Sequence, residues 1–128
     1  MTEMDQVAHE IVDAALEVHR LLGPGLLESA YQICLVAELE FRQLRVDQQK
    51  LLPVTYRGRR LDSSYRLDMV VEDSVVVEIK SVESLLPIHQ AQLLSYLKLS
   101  GYRLGLLINF NVPLLKNGIR RLIYGNAK

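Results

Sequence analysis

Residues 103–110, Arg-Leu-Gly-Leu-Leu-Ile-Asn-Phe, form a nearly continuous apolar run. A strand with one wet face alternates apolar and polar residues, so a strand without alternation is covered on both faces. The run therefore calls for a central strand with further layers on either side, and the rest of the chain supplies candidates for them.

Thr2 followed by Asp5 has the spacing of a capping box, and Val7, Ile11, Ala14, Val18 and Leu22 then recur at helical spacing. Gly23-Pro24-Gly25 ends this helix. A second helix follows, with Leu27, Ala30, Cys34, Ala37 and Phe41 expected on one stripe. Near Val46 the period shortens to about two. Leu51–Tyr56 reads as a strand interrupted by Pro53, which points to an edge or a bulge, and Gly58 marks a turn. Tyr65–Val71 and Val75–Ser81 are two more strands rich in β-branched residues. Pro87 opens a third helix that runs to about Ser100, where Gly101 supplies the stop. After the 103–110 strand, the Asn117-Gly118 turn signal introduces a last strand, Ile119–Tyr124. The order α-α-β-β-β-α-β-β describes one α/β domain over residues 1–128, a mixed central sheet flanked by helices.

At 128 residues such a domain buries its own core without staples. Cys34 is the single cysteine, which excludes an internal disulfide and a thiolate zinc cluster; it is expected to be a buried, inert thiol. No stretch approaches the roughly 18 apolar residues of a membrane span, and the N-terminus lacks a basic-then-apolar signal, so a soluble, cytoplasmic protein is expected. Net charge is zero but unevenly spread. Residues 1–40 hold eight acids against Arg20 alone, whereas residues 41–67 hold seven bases against Asp47 and Asp62. Arg57, Arg59 and Arg60 near the Gly58 turn could reach phosphate or simply solvate the loop.

The chemistry concentrates in one hairpin. Strand alternation puts Leu67, Met69 and Val71 on one face, and Val75, Val77 and Ile79 on one face of the next strand. The opposite faces carry Asp68 and Val70, then Val76, Glu78 and Lys80. Both apolar sets must meet on one side, so an odd loop centred on Asp73 is required, pairing Val71 with Val75 and Asp68 with Glu78. Opposed residues have Cβ atoms about 4.5–5.5 Å apart. Two carboxylates that close repel unless a cation lies between them or one is protonated. Hard Mg2+ or Mn2+ suits such oxygen ligands. Lys80 on the same face could orient a water and offset charge on a phosphate, while Val70 and Val76 would keep one flank dry. A solvated Glu-x-Lys face is the plain alternative.

Asp68, nine residues, then Glu78-Ile79-Lys80 resembles the core of the PD-(D/E)xK nuclease superfamily. More narrowly, Gly25-Leu26-Leu27-Glu28-Ser29-Ala30-Tyr31 matches the signature of the GxxExxY protein family. The likeness continues through Glu78–Ser81, His89–Leu97 and Leu106–Phe110, covering nearly the whole chain. It implies a restriction-endonuclease-like core. It also implies metal-holding roles for Glu28, Asp68, Glu78 and the Ile79 carbonyl, with Lys80 as the catalytic lysine. Gln92 and Tyr96 resemble a Gln-x-x-x-Tyr signature whose side chains contact substrate or steady the site. Leu67 stands where the superfamily often has proline.

From the residues alone, Glu28 is either such a ligand or a first-turn acid complementing the helix dipole, with Tyr31 on the same helical face. His89, Gln92 and Tyr96 form a polar stripe that serves the site or a satisfied buried network. His9 and His19 are expected at the surface. The resulting expectation is a Mg2+- or Mn2+-dependent nuclease acting on nucleic acid. The alternative is a catalytically silent nuclease-fold binding module with a nucleic-acid or protein partner. A homodimer whose paired basic tracts form one groove is a third arrangement.

Overall fold

The computed structural model describes residues 2–125, with main chain only for 62–64. Helices α1 (Glu3–Leu22) and α2 (Glu28–Phe41) precede strands β1 (Val46–Tyr56), β2 (Arg59–Val71) and β3 (Val75–Lys80). Helix α3 (Pro87–Ser100), β4 (Leu104–Asn109), a 3-10 turn at Leu115–Gly118 and β5 (Ile119–Ile123) complete the order. The strands form one sheet in the order β1-β2-β3-β4-β5. Only β3 and β4 run parallel, joined through α3; the other neighbours are antiparallel, so the sheet is mixed as the sequence predicts. Every residue of β4 is buried, in line with its nearly continuous apolar run.

Helices α1 and α3 are bounded for local reasons. Thr2 and Asp5 form the expected reciprocal cap on α1, and Gly23 at φ 68° closes it. Gly101, left-handed at φ 86°, closes α3. Val7, Ile11, Ala14 and Val18 are buried as expected, whereas Leu22 at the end of the stripe is exposed. Helices α1 and α2 cover one sheet face, packing against Met69, Val71, Val77, Ile79, Leu106 and Ile108. Helix α3 covers the other face through Leu93 and Leu97, against Leu52, Leu67, Val70, Val76 and Leu107.

The stripe expected on α2 is corrected. Tyr31, Leu35, Val36 and Leu39 are buried there, while Leu27 and Phe41 are 77% and 84% exposed. This helix carries apolar residues nearly all round, including exposed Ile33, so spacing alone does not select the inward face. Contact does: the Tyr31 ring stacks on Phe110 beyond β4 at 4.6 Å between centroids. Leu35 and Leu39 follow at one-turn intervals, each fully buried side chain contributing about 1.5–3 kcal/mol. Cys34 is only half-buried at the rim of this cluster. His19 is not a surface residue either; its Nε2 lies 2.8 Å from the Val112 carbonyl and ties α1 to the β4–β5 loop. His9 is exposed, 3.5 Å from Asp13.

Pro53 lies on edge strand β1, where the register with β2 shifts between Leu52 and Val54. Asn117-Gly118 does not make a hairpin turn; it closes the 3-10 turn before β5. Glycine is required there for space, because a Cβ at Gly118 would stand 2.2 Å from the Asn109 carbonyl oxygen.

Candidate functional site

The β2–β3 hairpin turns through Glu72, Asp73 and Ser74, the first two left-handed at φ 52° and 49°. Val71 pairs with Val75, Val70 with Val76 and Met69 with Val77, the register required by the apolar pattern. Beyond Met69 the ladder stops. The Asp68 N–H donates to Glu78 Oε2 at 2.8 Å, and the Ile79 N–H donates to Asp68 Oδ2 at 2.9 Å. Each carboxylate thus satisfies a main-chain donor on the other strand, replacing the ladder bonds the two strands would otherwise exchange.

Across this exchange the side chains of β2 change the face on which they pack. Leu67 packs on the α3 side, while Met69 and Val71 pack on the α1–α2 side, so the three do not share a face. On the neighbouring strand, Gln49 adopts φ 50° between the pairs Gln48–Met69 and Lys50–Leu67. The physical reason is the cost of burying carboxylates. A buried charge needs donors, and in the middle of a sheet the nearest are main-chain N–H groups.

The electrostatics follow from burial. Glu78 is only 6% exposed, and desolvation, reinforced by the charge of Asp68, pushes its carboxyl up to about 8. The Asp68 N–H and the Lys80 ammonium oppose that rise. Burial also raises Asp68, against the Ile79 N–H and Lys80. Glu28, the first residue of α2, is raised by burial, with Lys80 opposing and Asp68 adding. Tyr96 on α3 is raised by burial and then by the charges of Glu78, Tyr65 and Asp68. Three acids, one lysine and one phenol therefore share an electrostatic neighbourhood where β2 and β3 part. Among the described residues, no three His, Cys, Asp or Glu side chains converge tightly enough to encage an ion.

Several contacts hold this neighbourhood in place. The Ser81 hydroxyl donates to the Leu26 carbonyl at 2.6 Å, tying the end of β3 to the loop before Glu28. Gln32, four residues after Glu28, donates to the Asp68 carbonyl at 3.3 Å. Buried Asn109 accepts from the Val82 and Asn111 N–H groups and donates to the Val82 carbonyl, anchoring the loop after Lys80. Sequence reasoning missed both. Gln32 was signalled by its helical spacing from Glu28, and Asn109 by being polar inside an apolar run.

Glu28, Asp68, Glu78, Lys80 and Tyr96 thus share one electrostatic neighbourhood, with Ile79 on β3 donating its N–H to Asp68. Gln92, one turn before Tyr96, is exposed beside the Tyr96 ring in a cleft. The Nδ1 of His89 accepts from the Leu86 N–H at 2.9 Å and caps α3. Tyr31 is fully buried, donating to the Gly23 carbonyl at 2.6 Å and accepting from the Leu26 N–H at 3.1 Å. Tyr31→Phe leaves both loop groups without that partner. It is expected to cost about 1–3 kcal/mol, read as a lower urea midpoint at unchanged slope.

A sequence profile of the PD-(D/E)XK nuclease superfamily matches residues 5–122. A search of curated proteins gives no match. Among solved structures, the crystal structure of SSO0001 is similar with a TM-score of 0.52 at 20% identity, a likeness of fold. The match covers 94% of this chain and 62% of that one, so the chain spans less than two thirds of its solved relative. No described helix is long and apolar enough to cross a membrane.

Proposed function

Because the chain belongs to the PD-(D/E)XK nuclease superfamily, we propose that it hydrolyses phosphodiester bonds of nucleic acid at the Asp68–Glu78–Lys80 cluster with the help of a divalent cation. The observation that carries this reading is the reciprocal seating of two buried carboxylates across β2 and β3. Each uses one oxygen on a main-chain N–H, and among the described residues no hydrogen bond reaches Asp68 Oδ1 or Glu78 Oε1. Burial raises all three acids, repulsion from Asp68 adds to the rise of Glu78 and Glu28, and a bound cation beside Lys80 would relieve that cost.

The donor set fits a hard ion. It consists of carboxylate oxygens, joined by the Ile79 carbonyl, which strand alternation turns to the same side as the Ile79 N–H and hence toward Asp68. All-oxygen ligation favours Mg2+ or Mn2+. Asp68, Glu78 and the Ile79 carbonyl would hold the ion, and Glu28, which does not converge tightly with the other two acids, would be drawn in as a further ligand. When bound, such an ion polarises a phosphoryl oxygen and lowers the pKa of a coordinated water. Lys80, half-buried on the same strand, orients the attacking water and offsets charge on the pentacoordinate phosphate. Val70 and Val76, both fully buried, keep water from the α3 flank. Tyr96 and Gln92, which line a cleft, would contact the substrate. The Gly25–Tyr31 motif supports membership of the GxxExxY family within the superfamily.

The test is incubation with single- and double-stranded DNA and RNA in Mg2+ or Mn2+. Cleavage of at least one substrate that stops in excess chelator is expected. Intact substrates throughout, at cation concentrations that stabilise the protein against heat, would overturn the reading.

A further inference from the structure

A cleft of about 310 Å3 lies between α3 and the outer half of the β1–β2 hairpin. Tyr65 and Tyr96 face each other across it at 6.3 Å between centroids and 57° between planes, and Val54, Leu61 and Leu99 complete its apolar wall. Neither ring stacks on the other, and Tyr65 is 45% exposed, so an aromatic surface remains available. Tyr96 ties this cleft to the carboxylate cluster, since the charges of Glu78 and Asp68 reach its hydroxyl.

The far end of the same hairpin is basic. Arg57, Arg59 and Arg60 are all exposed at its tip. Tyr56 pairs with Arg59 and Val54 with Leu61, so alternation puts Arg59 on the face that lines the cleft. Arg57 lies over the Tyr56 ring, 5.8 Å from its centroid. A guanidinium tip, an apolar aromatic cleft and a cation-seeking acidic cluster therefore follow one another along one side of the molecule.

We propose that this cleft stacks an unpaired base of single-stranded nucleic acid against Tyr65 and Tyr96, with Arg59 and the hairpin tip holding the adjoining phosphates. The proposal rests on the nucleic-acid reading above and names its substrate class. Single strands fit because their bases offer free faces to aromatic rings while the backbone tracks positive charge. A duplex keeps its bases stacked on one another and would have to extrude one to fill the cleft. An apolar peptide would find the wall but would have no use for the arginine tip.

The experiment uses the full chain, a fluorescently labelled oligothymidylate and the matching duplex, with anisotropy read in chelator so that binding is separated from cleavage. Tyr65→Ala is expected to weaken single-strand binding by about 10-fold, within the range for losing one stacked base. Tyr65→Trp should retain binding, and duplex affinity should be unchanged in either variant. Arg59→Ala is expected to weaken binding and reduce its salt dependence by about one counterion. Single-strand binding that is absent in the native chain, or untouched by Tyr65→Ala, overturns the proposal. So does an equal loss for single strand and duplex. The two readings fail separately: a chain that loses single-strand binding in Tyr65→Ala yet cuts nothing keeps the cleft and loses hydrolysis. A chain that cuts while Tyr65→Ala binds normally keeps hydrolysis and loses the cleft.

Discussion

Lys80→Ala is expected to slow phosphodiester cleavage by about 10²–10³-fold, the usual consequence of removing one positioned donor that stabilises charge in the transition state. Lys80 acts electrostatically on all three acids of the cluster, lowering Glu28, Asp68 and Glu78 alike. Its loss has two effects that can be separated. One is kinetic: nothing remains to orient the water and offset charge on the phosphate. The other is on the ground state: the carboxyls hold their protons to higher pH, so cation binding weakens near neutrality. Measuring cleavage from pH 7 to pH 9 at saturating Mn2+ distinguishes them. A defect that persists at high pH belongs to the chemistry, and one that closes belongs to the carboxyls. Lys80→Arg keeps the charge but not the compact ammonium geometry, and a partial recovery is expected. Cleavage by Lys80→Ala at the native rate throughout this range would sink the mechanism.

The register that brings these residues together was legible in the sequence, and the local geometry was not, for a physical reason. Val71, Val75 and Val77 must face one core, and side-chain parity alone then dictates an odd loop and the Val71–Val75 pairing. The same parity placed Leu67 wrongly. Parity assumes an uninterrupted ladder, and the ladder ends where Asp68 and Glu78 take main-chain N–H groups as partners. That choice depends on how deeply the carboxylates are buried, which only the covering helices decide. Helix α2 shows the same limit. Its apolar residues surround the helix, and the buried face is set by the Tyr31–Phe110 stack between residues far apart in the chain. Motif residues were equally mixed. Glu28, Lys80 and Tyr96 share the electrostatic neighbourhood of the paired acids, whereas the Tyr31 hydroxyl latches the Gly23–Leu26 loop and His89 caps its own helix. Tyr65 carried no motif at all. It becomes notable only because α3 folds back to bring Tyr96 opposite it.

Raising the pH from about 5 to about 8 is expected to destabilise the cation-free protein, the reverse of what most carboxylates do. Folding lifts Glu78 from an ordinary 4.5 to about 8, so between those values the folded chain holds a proton that the unfolded chain has released. Stability is therefore fully present below about pH 4.5 and is lost as pH rises through 8. Asp68 and Glu28 are displaced in the same direction and add to the trend. Asp5 is displaced oppositely, to about 2 through its bonds to Thr2 and Arg121, but its titration lies below this window. At about 1.4 kcal/mol per pKa unit, the loss between pH 5 and pH 8 should be on the order of 3 kcal/mol. For a chain of this size that is roughly 10 °C in the melting midpoint. Thermal melts in chelator at pH 5, 6.5 and 8 measure it. Glu78→Gln should remove most of the slope, because the amide replaces the carboxyl without a charge to bury. Mn2+ should restore stability at pH 8 far more than at pH 5, since only the ionised site binds it. A flat melt profile in the native chain, or a slope undiminished in Glu78→Gln, would show that the buried acids do not carry the charge conflict on which cation binding at this site depends.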